Sequence, residues 1–249
     1  MQDKIPVMEI FGPTIEGEGS VIGRKTMFVR TGGCDYQCSW CDSKFTWDGS
    51  QKATMMEPFE IYSKLVASAH TDQNIYERQF NFDHVTITGG NPALIGQPMQ
   101  KLIDYLHTRG IKVGIETQGS KWQDWFHIVD DLVISPKPPS SGMTTNLDIL
   151  DEILLTYLKF SYNASLKIVV YDKEDYAFAK ILHKRYPGIP FFLSQCNPDT
   201  DSRDNMYLRS MLIGRLKGLV DTVLSDPEMN NVKVLPQLHV LLWGNKRGV

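Results

Sequence analysis

Short runs of β-branched and aromatic residues alternate along this chain with longer stretches in which apolar positions recur every three or four residues. Residues 5–11 (IPVMEIF) and 25–31 (KTMFVRT) read as strands. Thr54 to Glu57 has the capping-box pattern, and Phe59, Ile61, Leu65 and Val66 behind it predict a helix to about residue 69. The pattern then predicts a buried strand at 84–88, a helix at 97–109, a strand at 111–117 and a short helix holding Trp122, Trp125 and Phe126. Further strands are expected at 132–135, 166–171 and 189–194, and helices near 146–158, 173–186 and 205–220. A last apolar segment, 232–243, closes the chain. Strands alternating with amphipathic helices make βαβ units and a parallel sheet, and right-handed crossovers curl it one way. About six units fit, fewer than the eight of a closed barrel. The expectation is an α/β fold, a partial (open) β/α barrel. It forms one domain over 1–249, with an N-terminal strand extension and a C-terminal closing segment. A flat doubly wound sheet is the alternative, but no G-x-G-x-x-G follows the early strands.

The chain has 249 residues, 42% hydrophobic and 22% charged, enough for a sizeable core and unlike a disordered chain. With 26 Lys+Arg against 29 Asp+Glu the net charge is −3, which supplies no basic stripe for nucleic acid or an anionic membrane. No apolar run approaches the roughly 18 residues of a transmembrane helix. The start, MQDKIPVMEIFG, lacks the layout of a signal peptide, so a cytoplasmic protein without nucleic-acid or membrane partners is expected.

Four cysteines are too sparse for a disulfide scaffold, but Cys34, Cys38 and Cys41 crowd into one loop as C-x3-C-x2-C while Cys196 stands apart. Gly32 and Gly33 precede the loop, which follows the predicted strand 25–31. Three readings compete. A structural zinc site prefers four closed ligands, and this loop has no fourth; the next His downstream is His70. Three cysteines acting as small buried hydrophobes would not account for the spacing. A [4Fe–4S] cluster held by three thiolates, with one iron left open, fits the ligand type and the missing partner.

At these residues the chain resembles the radical S-adenosylmethionine (SAM) superfamily, and Trp40 before the last Cys fits that pattern. Gly89-Gly90-Asn91-Pro92 is similar to the superfamily's GGEP turn, with Asn91 in place of Glu; alone it would read as an ordinary turn. Glu116-Thr117-Gln118-Gly119 and Ser135-Pro136-Lys137 end the next two predicted strands, where a barrel places its site. Phe11 to Gly19, Phe28-Val29-Arg30, Cys41-Asp42-Ser43 and the ending WGNKRGV resemble the 7-carboxy-7-deazaguanine synthase family, over nearly the whole chain. Glu16 departs from that family's usual Gln.

The resemblance implies a ring contraction of 6-carboxy-5,6,7,8-tetrahydropterin to 7-carboxy-7-deazaguanine with loss of ammonia, on the route to queuosine-type bases. It implies a [4Fe–4S] cluster on Cys34, Cys38 and Cys41, SAM, a Mg²⁺ ion on Ser43, a reductant such as flavodoxin or ferredoxin, and a homodimer. It assigns Ser39, Trp40, Asp42, Gly90, Glu116, Ser135, Pro136 and Lys137 to SAM and the cluster. It assigns Ile15, Glu16, Gly17, Arg30 and Thr88 to the substrate, with Arg30 clamping the carboxylate. Cys196 is expected to be a packing thiol, Gln195 and Asn197 to face the adenine, and Phe11, Phe28, Phe45, Trp47 and Trp243 to be core. The Val249 carboxylate is expected to reach the site. Two rivals remain: a radical SAM enzyme that activates a protein substrate, and a zinc-stabilised binding module.

Overall fold

The computed structural model describes residues 3–68, 80–160 and 163–249. Its strands β1 (Ile5–Ile15), β2 (Lys25–Thr31), β3 (Thr54–Met56), β4 (His84–Gly89), β5 (Lys112–Thr117), β6 (Asp131–Ile134), β7 (Ala164–Val170), β8 (Phe191–Gln195) and β9 (Val232–Leu235) form one sheet. Its order is β3-β1-β2-β4-β5-β6-β7-β8-β9. From β2 to β9 neighbouring strands run parallel, while β1 pairs antiparallel with both β2 and β3. The sheet is open, with β3 and β9 as its edges, as the expected partial barrel requires.

Helices α1 (Pro58–Ser68), α2 (Gln97–His107), α3 (Leu147–Phe160), α4 (Lys173–Arg185) and α5 (Asn205–Leu224) carry the crossovers, and α6 (Leu238–Trp243) follows β9. The β5–β6 crossover is only a 3₁₀ turn, Asp124–Ile128, which leaves Trp122 outside it. Two further expectations are corrected. Thr54 does not cap a helix but begins β3, and the real cap lies three residues on, where the Glu57 N–H donates to the Glu60 carboxylate at 2.9 Å. The helix it opens is described to Ser68; residue 69 and His70 lie outside the described residues. The apolar stretch 232–243 splits into β9 and α6.

The strand registers divide the sheet into two chemically distinct faces. Met27, Val29, Val85, Ile87, Val113, Ile115, Leu132, Ile134, Leu166, Ile168 and Leu193 pack against the helices and form the apolar core. Their neighbours in sequence point the other way: Thr26, Arg30, His84, Thr86, Thr88, Glu116, Asp131, Ser165, Lys167 and Ser194. The core therefore lies between sheet and helices, and the concave face is polar.

Candidate functional site

A cavity of about 250 Å³ opens at the C-terminal ends of the parallel strands, where barrels of this kind place their chemistry. Cys34, Cys38 and Cys41 line it together with Ile15, Glu16, Gly17, Arg30, Trp40, Asp42, Ser43, Thr88, Gly90, Glu116, Ser135 and Lys137. Ser39 and Pro136 are not part of the wall. Ser39 is exposed, and its hydroxyl donates to the Ser140 carbonyl at 2.8 Å. Pro136 is buried behind Ser135. Gln195 is also turned away: it pairs with Val170 on the helix-facing side of the sheet. Phe11, Phe28, Phe45 and Trp47 line the cavity rather than the core, whereas Trp243 does not reach it. Cys196 and Asn197 do reach the wall, as do residues 244–249 up to Val249.

The cysteine loop is docked rather than free. Ser39 N–H donates to the Ser141 carbonyl at 3.0 Å, Trp40 Nε1 to Ser140 Oγ at 2.9 Å, and Tyr36 Oη to the Thr144 carbonyl at 2.8 Å. Ser140 is fixed in turn by the buried Asp175 carboxylate of α4, which accepts from its N–H at 3.0 Å and its hydroxyl at 2.5 Å. Gln118 reaches the loop from the end of β5, with its side-chain nitrogen 3.6 Å from Cys34 Sγ and 2.5 Å from Asp35 Oδ1.

The turn after β4 locks the other side of the loop. Asn91 N–H donates to the Gly33 carbonyl at 2.7 Å. Its side-chain nitrogen donates to Asp35 Oδ1 at 2.8 Å and Ser120 Oγ at 3.0 Å, and its oxygen accepts from Thr117 Oγ1 at 2.7 Å and Ala93 N–H at 3.1 Å. An acidic residue here would set a second carboxylate against Asp35, so the amide suits this chain. A Cβ on Gly90 would run into the Gly33 carbonyl, so this glycine is required by the cysteine loop itself.

Burial pushes the Cys38 thiol up to about 11, and raises Cys34 and Cys41 as well. Lys137 opposes the rise at all three. Three thiols, Cys38 buried and Cys34 and Cys41 half-buried, with one modest cation beside them need a positive centre to become thiolates. Iron supplies one, so the donor set fits a [4Fe–4S] cluster held at three corners. Among the described residues, no three of His, Cys, Asp and Glu gather as ligands of a single ion. A cluster binds each thiolate through a different iron, so it accepts wider spacing than one zinc ion would.

On the opposite wall, Arg30 is held by Glu9 (Nε to Oε1, 2.7 Å) and Ser43 (Nη1 to Oγ, 2.9 Å), between the rings of Phe11 and Phe45. Arg247 stacks on Phe45 at 3.3 Å from the ring centre and shares Glu9 at 3.2 Å. Lys167 forms buried ion pairs with Glu18 and Glu116. Burial opposes its charge, but the two carboxylates outweigh that and hold it well above the usual lysine range. Burial also raises Glu18, yet Lys167, His239 and the Gln237 amide at 2.7 Å bring that carboxyl down to about 2. Glu16 makes no ion pair: burial, then the Glu116 charge, raise it to about 7 against the weaker pull of Thr86 and Lys167. It accepts from Gly17 N–H at 2.9 Å and Thr86 Oγ1 at 2.9 Å. Sequence reasoning gave no individual role to Glu18, Lys167, Gln118, Gln237, His239 or Arg247, although Glu18, Gln118 and Arg247 lie within motifs it singled out. Lys167 did leave a signal, a single charge inside the apolar run LKIVVY.

A family described as a 4Fe–4S single cluster domain matches residues 15–135. The chain is 53% identical to the 7-carboxy-7-deazaguanine synthase of Bacillus subtilis over the full length of both, and 51% identical to that of Bacillus cereus over 99% of each. Among solved structures, a crystal structure of QueE from Escherichia coli superposes with a TM-score of 0.63 at 20% identity, covering 95% of each chain. AnSMEcpe with bound AdoMet gives 0.52 at 15%, covering 81% of this chain and 61% of that one. At such identities the two structures speak for the fold alone.

Proposed function

The chain belongs to the 7-carboxy-7-deazaguanine synthase family, and from that premise we propose how its own residues serve the reaction. It is a radical SAM lyase that contracts 6-carboxy-5,6,7,8-tetrahydropterin to 7-carboxy-7-deazaguanine with loss of ammonia. When bound, the cluster and SAM supply the carbon-radical chemistry that acid–base side chains lack. The observation that carries the residue assignments is the convergence of three loop thiols and the Arg30 fork on one cavity.

Cys34, Cys38 and Cys41 are the cluster ligands in this reading. Trp40, Asp42, Gly90, Glu116, Ser135 and Lys137 line the SAM side, and Ser39 and Pro136 act only through the backbone they hold. Arg30 takes the substrate carboxylate in bidentate fashion, exchanging Glu9 and Ser43 for it. Ile15, Glu16, Gly17 and Thr88 line the pterin. Lys167 pairs with Glu18 and Glu116 and holds both in place, so the polar wall does not rearrange around the substrate. The strand ends and the C-terminal segment shut water from the reacting atoms. Ser43 Oγ and Asp42 Oδ1, 3.1 Å apart, offer hard oxygen donors for Mg²⁺ once Arg30 turns to the substrate. A homodimer, a flavodoxin or ferredoxin reductant and a cytoplasmic setting belong to the same reading, as does the absence of nucleic-acid partners. No helix among the described residues is long and apolar enough to cross a membrane.

The test is an anaerobic assay of the iron-loaded protein with SAM, a reductant and the carboxytetrahydropterin. The expected result is equimolar deazaguanine acid and ammonia, from protein holding about four irons and four sulfides per chain. One zinc, no sulfide and no product would overturn the assignment.

A further inference from the structure

The concave face of the sheet carries a line of proton-bearing groups that the residues assigned above leave unused. Thr86 Oγ1, which donates to Glu16 Oε2, lies 3.1 Å from Thr26 Oγ1, and Thr26 Oγ1 lies 2.8 Å from His84 Nδ1. His84 Nε2 faces Asp131 Oδ2 at 3.7 Å. Thr26, Thr86 and His84 are buried, whereas Asp131 is partly exposed at the opposite end of the strands, with Arg24 3.9 Å away. Three further features mark this line. His84 Nε2 has no hydrogen-bond partner among the described residues although its ring is fully buried. A second, small cavity of about 10 Å³ is lined by Glu16, Thr86, Gly114, Glu116 and Asp131, room for about one water. A Cβ on Gly114 would come within 2.9 Å of His84 Cε1, so this glycine makes space for the ring.

We propose that Thr86, Thr26 and His84 form a proton path from Asp131, at the base of the barrel, to Glu16 in the floor of the site. Each member both donates and accepts. With Glu16 ionised, His84 Nδ1–H donates to Thr26, Thr26 to Thr86, and Thr86 to Glu16. With Glu16 protonated every bond reverses, and the imidazole proton sits on Nε2, toward Asp131. The two states differ by one proton and need no movement of heavy atoms. The path rests on the reaction assigned above, which has a use for it. When the carbon–nitrogen bond breaks, the electron pair stays on nitrogen, and the amino group, having taken one proton, leaves as ammonia. Glu16 gives that proton and is recharged from bulk solvent through Asp131, while substrate and cofactors fill the upper mouth. The charges facing Glu16 are Glu116 of β5, Glu18, and Lys167 of β7. Those facing Asp131 are His84 and Arg24.

Thr26→Val keeps the side chain's shape and removes the hydroxyl link. In the iron-loaded enzyme it is expected to lower kcat for ammonia release about 10-fold, with KM within about twofold, and to enlarge the ratio of kcat in H₂O to that in D₂O. Thr26→Ser restores both. A Thr26→Val enzyme with the wild-type kcat and isotope ratio overturns the path. A second readout needs no cluster: the infrared carbonyl band of the protonated Glu16 carboxyl, assigned by its loss in Glu16→Gln. Its titration midpoint is expected to move in Thr26→Val apoprotein, and an unmoved midpoint counts against the path. A midpoint that moves, in a protein whose wild type releases no ammonia, upholds the connection and overturns the reaction assigned to it.

Discussion

Replacing Asp175 by Asn tests how the cysteine loop is held, at a residue that touches neither thiol nor cavity. Asp175 is fully buried. One carboxylate oxygen accepts from Ser140 N–H at 3.0 Å, and the other from Ser140 Oγ at 2.5 Å and Tyr171 N–H at 2.9 Å. An Asn in the same rotamer can turn its oxygen toward two of these donors, but its NH₂ then faces the third. One buried N–H loses its acceptor, and the remaining bonds lose charge assistance, together about 2–4 kcal/mol. For a chain of this size each kcal/mol moves the melting temperature by about 2–4 °C. A drop of roughly 5–15 °C in the apoprotein melt, followed by circular dichroism, is therefore expected. Ser140 also receives Trp40 Nε1 and, through its carbonyl, Ser39 Oγ. The reconstituted cluster should accordingly lose its visible absorption faster in air than in wild type. An Asp175→Asn protein that melts within about 1 °C of wild type and bleaches at the wild-type rate would refute the claim that α4 anchors the loop.

Alanine in place of Cys34, Cys38 or Cys41 should each abolish the iron and sulfide bound after anaerobic reconstitution, while Cys196→Ala keeps both; iron loss in Cys196→Ala would show a misassigned ligand. Glu16 predicts a pH dependence of stability. Its folded carboxyl sits near 7 against an ordinary 4.5, so between those values the folded chain binds a proton that the unfolded chain releases. Stability therefore falls as pH rises across this window, by on the order of 3 kcal/mol, and stays level above it. Glu16→Gln should melt higher than wild type at pH 8 and converge with it near pH 5; parallel melting curves at all pH values would contradict this. Arg247→Ala removes both the stack on Phe45 and one partner of Glu9. It should raise KM for the carboxylated pterin about 3- to 10-fold with little change in kcat, corresponding to roughly 0.7–1.4 kcal/mol. A KM equal to wild type would remove the C-terminal segment from the site.

The sequence made the site's near wall readable because its chemistry is local. Cys34, Cys38 and Cys41 lie within one loop, and Gly89-Gly90-Asn91 and Glu116 end predicted strands. The far wall was not readable in the same way. Glu18, Lys167, Gln237 and His239 meet only because the sheet curls, and nothing in their spacing announces it. Strand faces were readable in principle: in HVTIT and LKIVVY the polar residues alternate, and His84, Thr86 and Lys167 point inward. Thr54 misled because its capping pattern is strong locally, while strand pairing with Ile5 to Val7 overrides it. The aromatics misled for the opposite reason. Burial propensity puts Phe11 and Phe45 in a core, but here they hold guanidinium groups over a polar site.

The docking of the cysteine loop also decides what would happen if it were moved elsewhere. Residues 34–41 contain every proposed cluster ligand, yet Ser140, Ser141 and Thr144, Gln118 and the Asn91 turn hold that loop in shape. Those partners come from the ends of three other strands and, through Asp175, from a helix beyond them. The motif is thus not a transplantable unit. Grafted alone onto a foreign turn it would bring three thiols and none of the surroundings that aim them. A designer seeking this cluster on another scaffold would have to carry over the strand ends together with the cysteines.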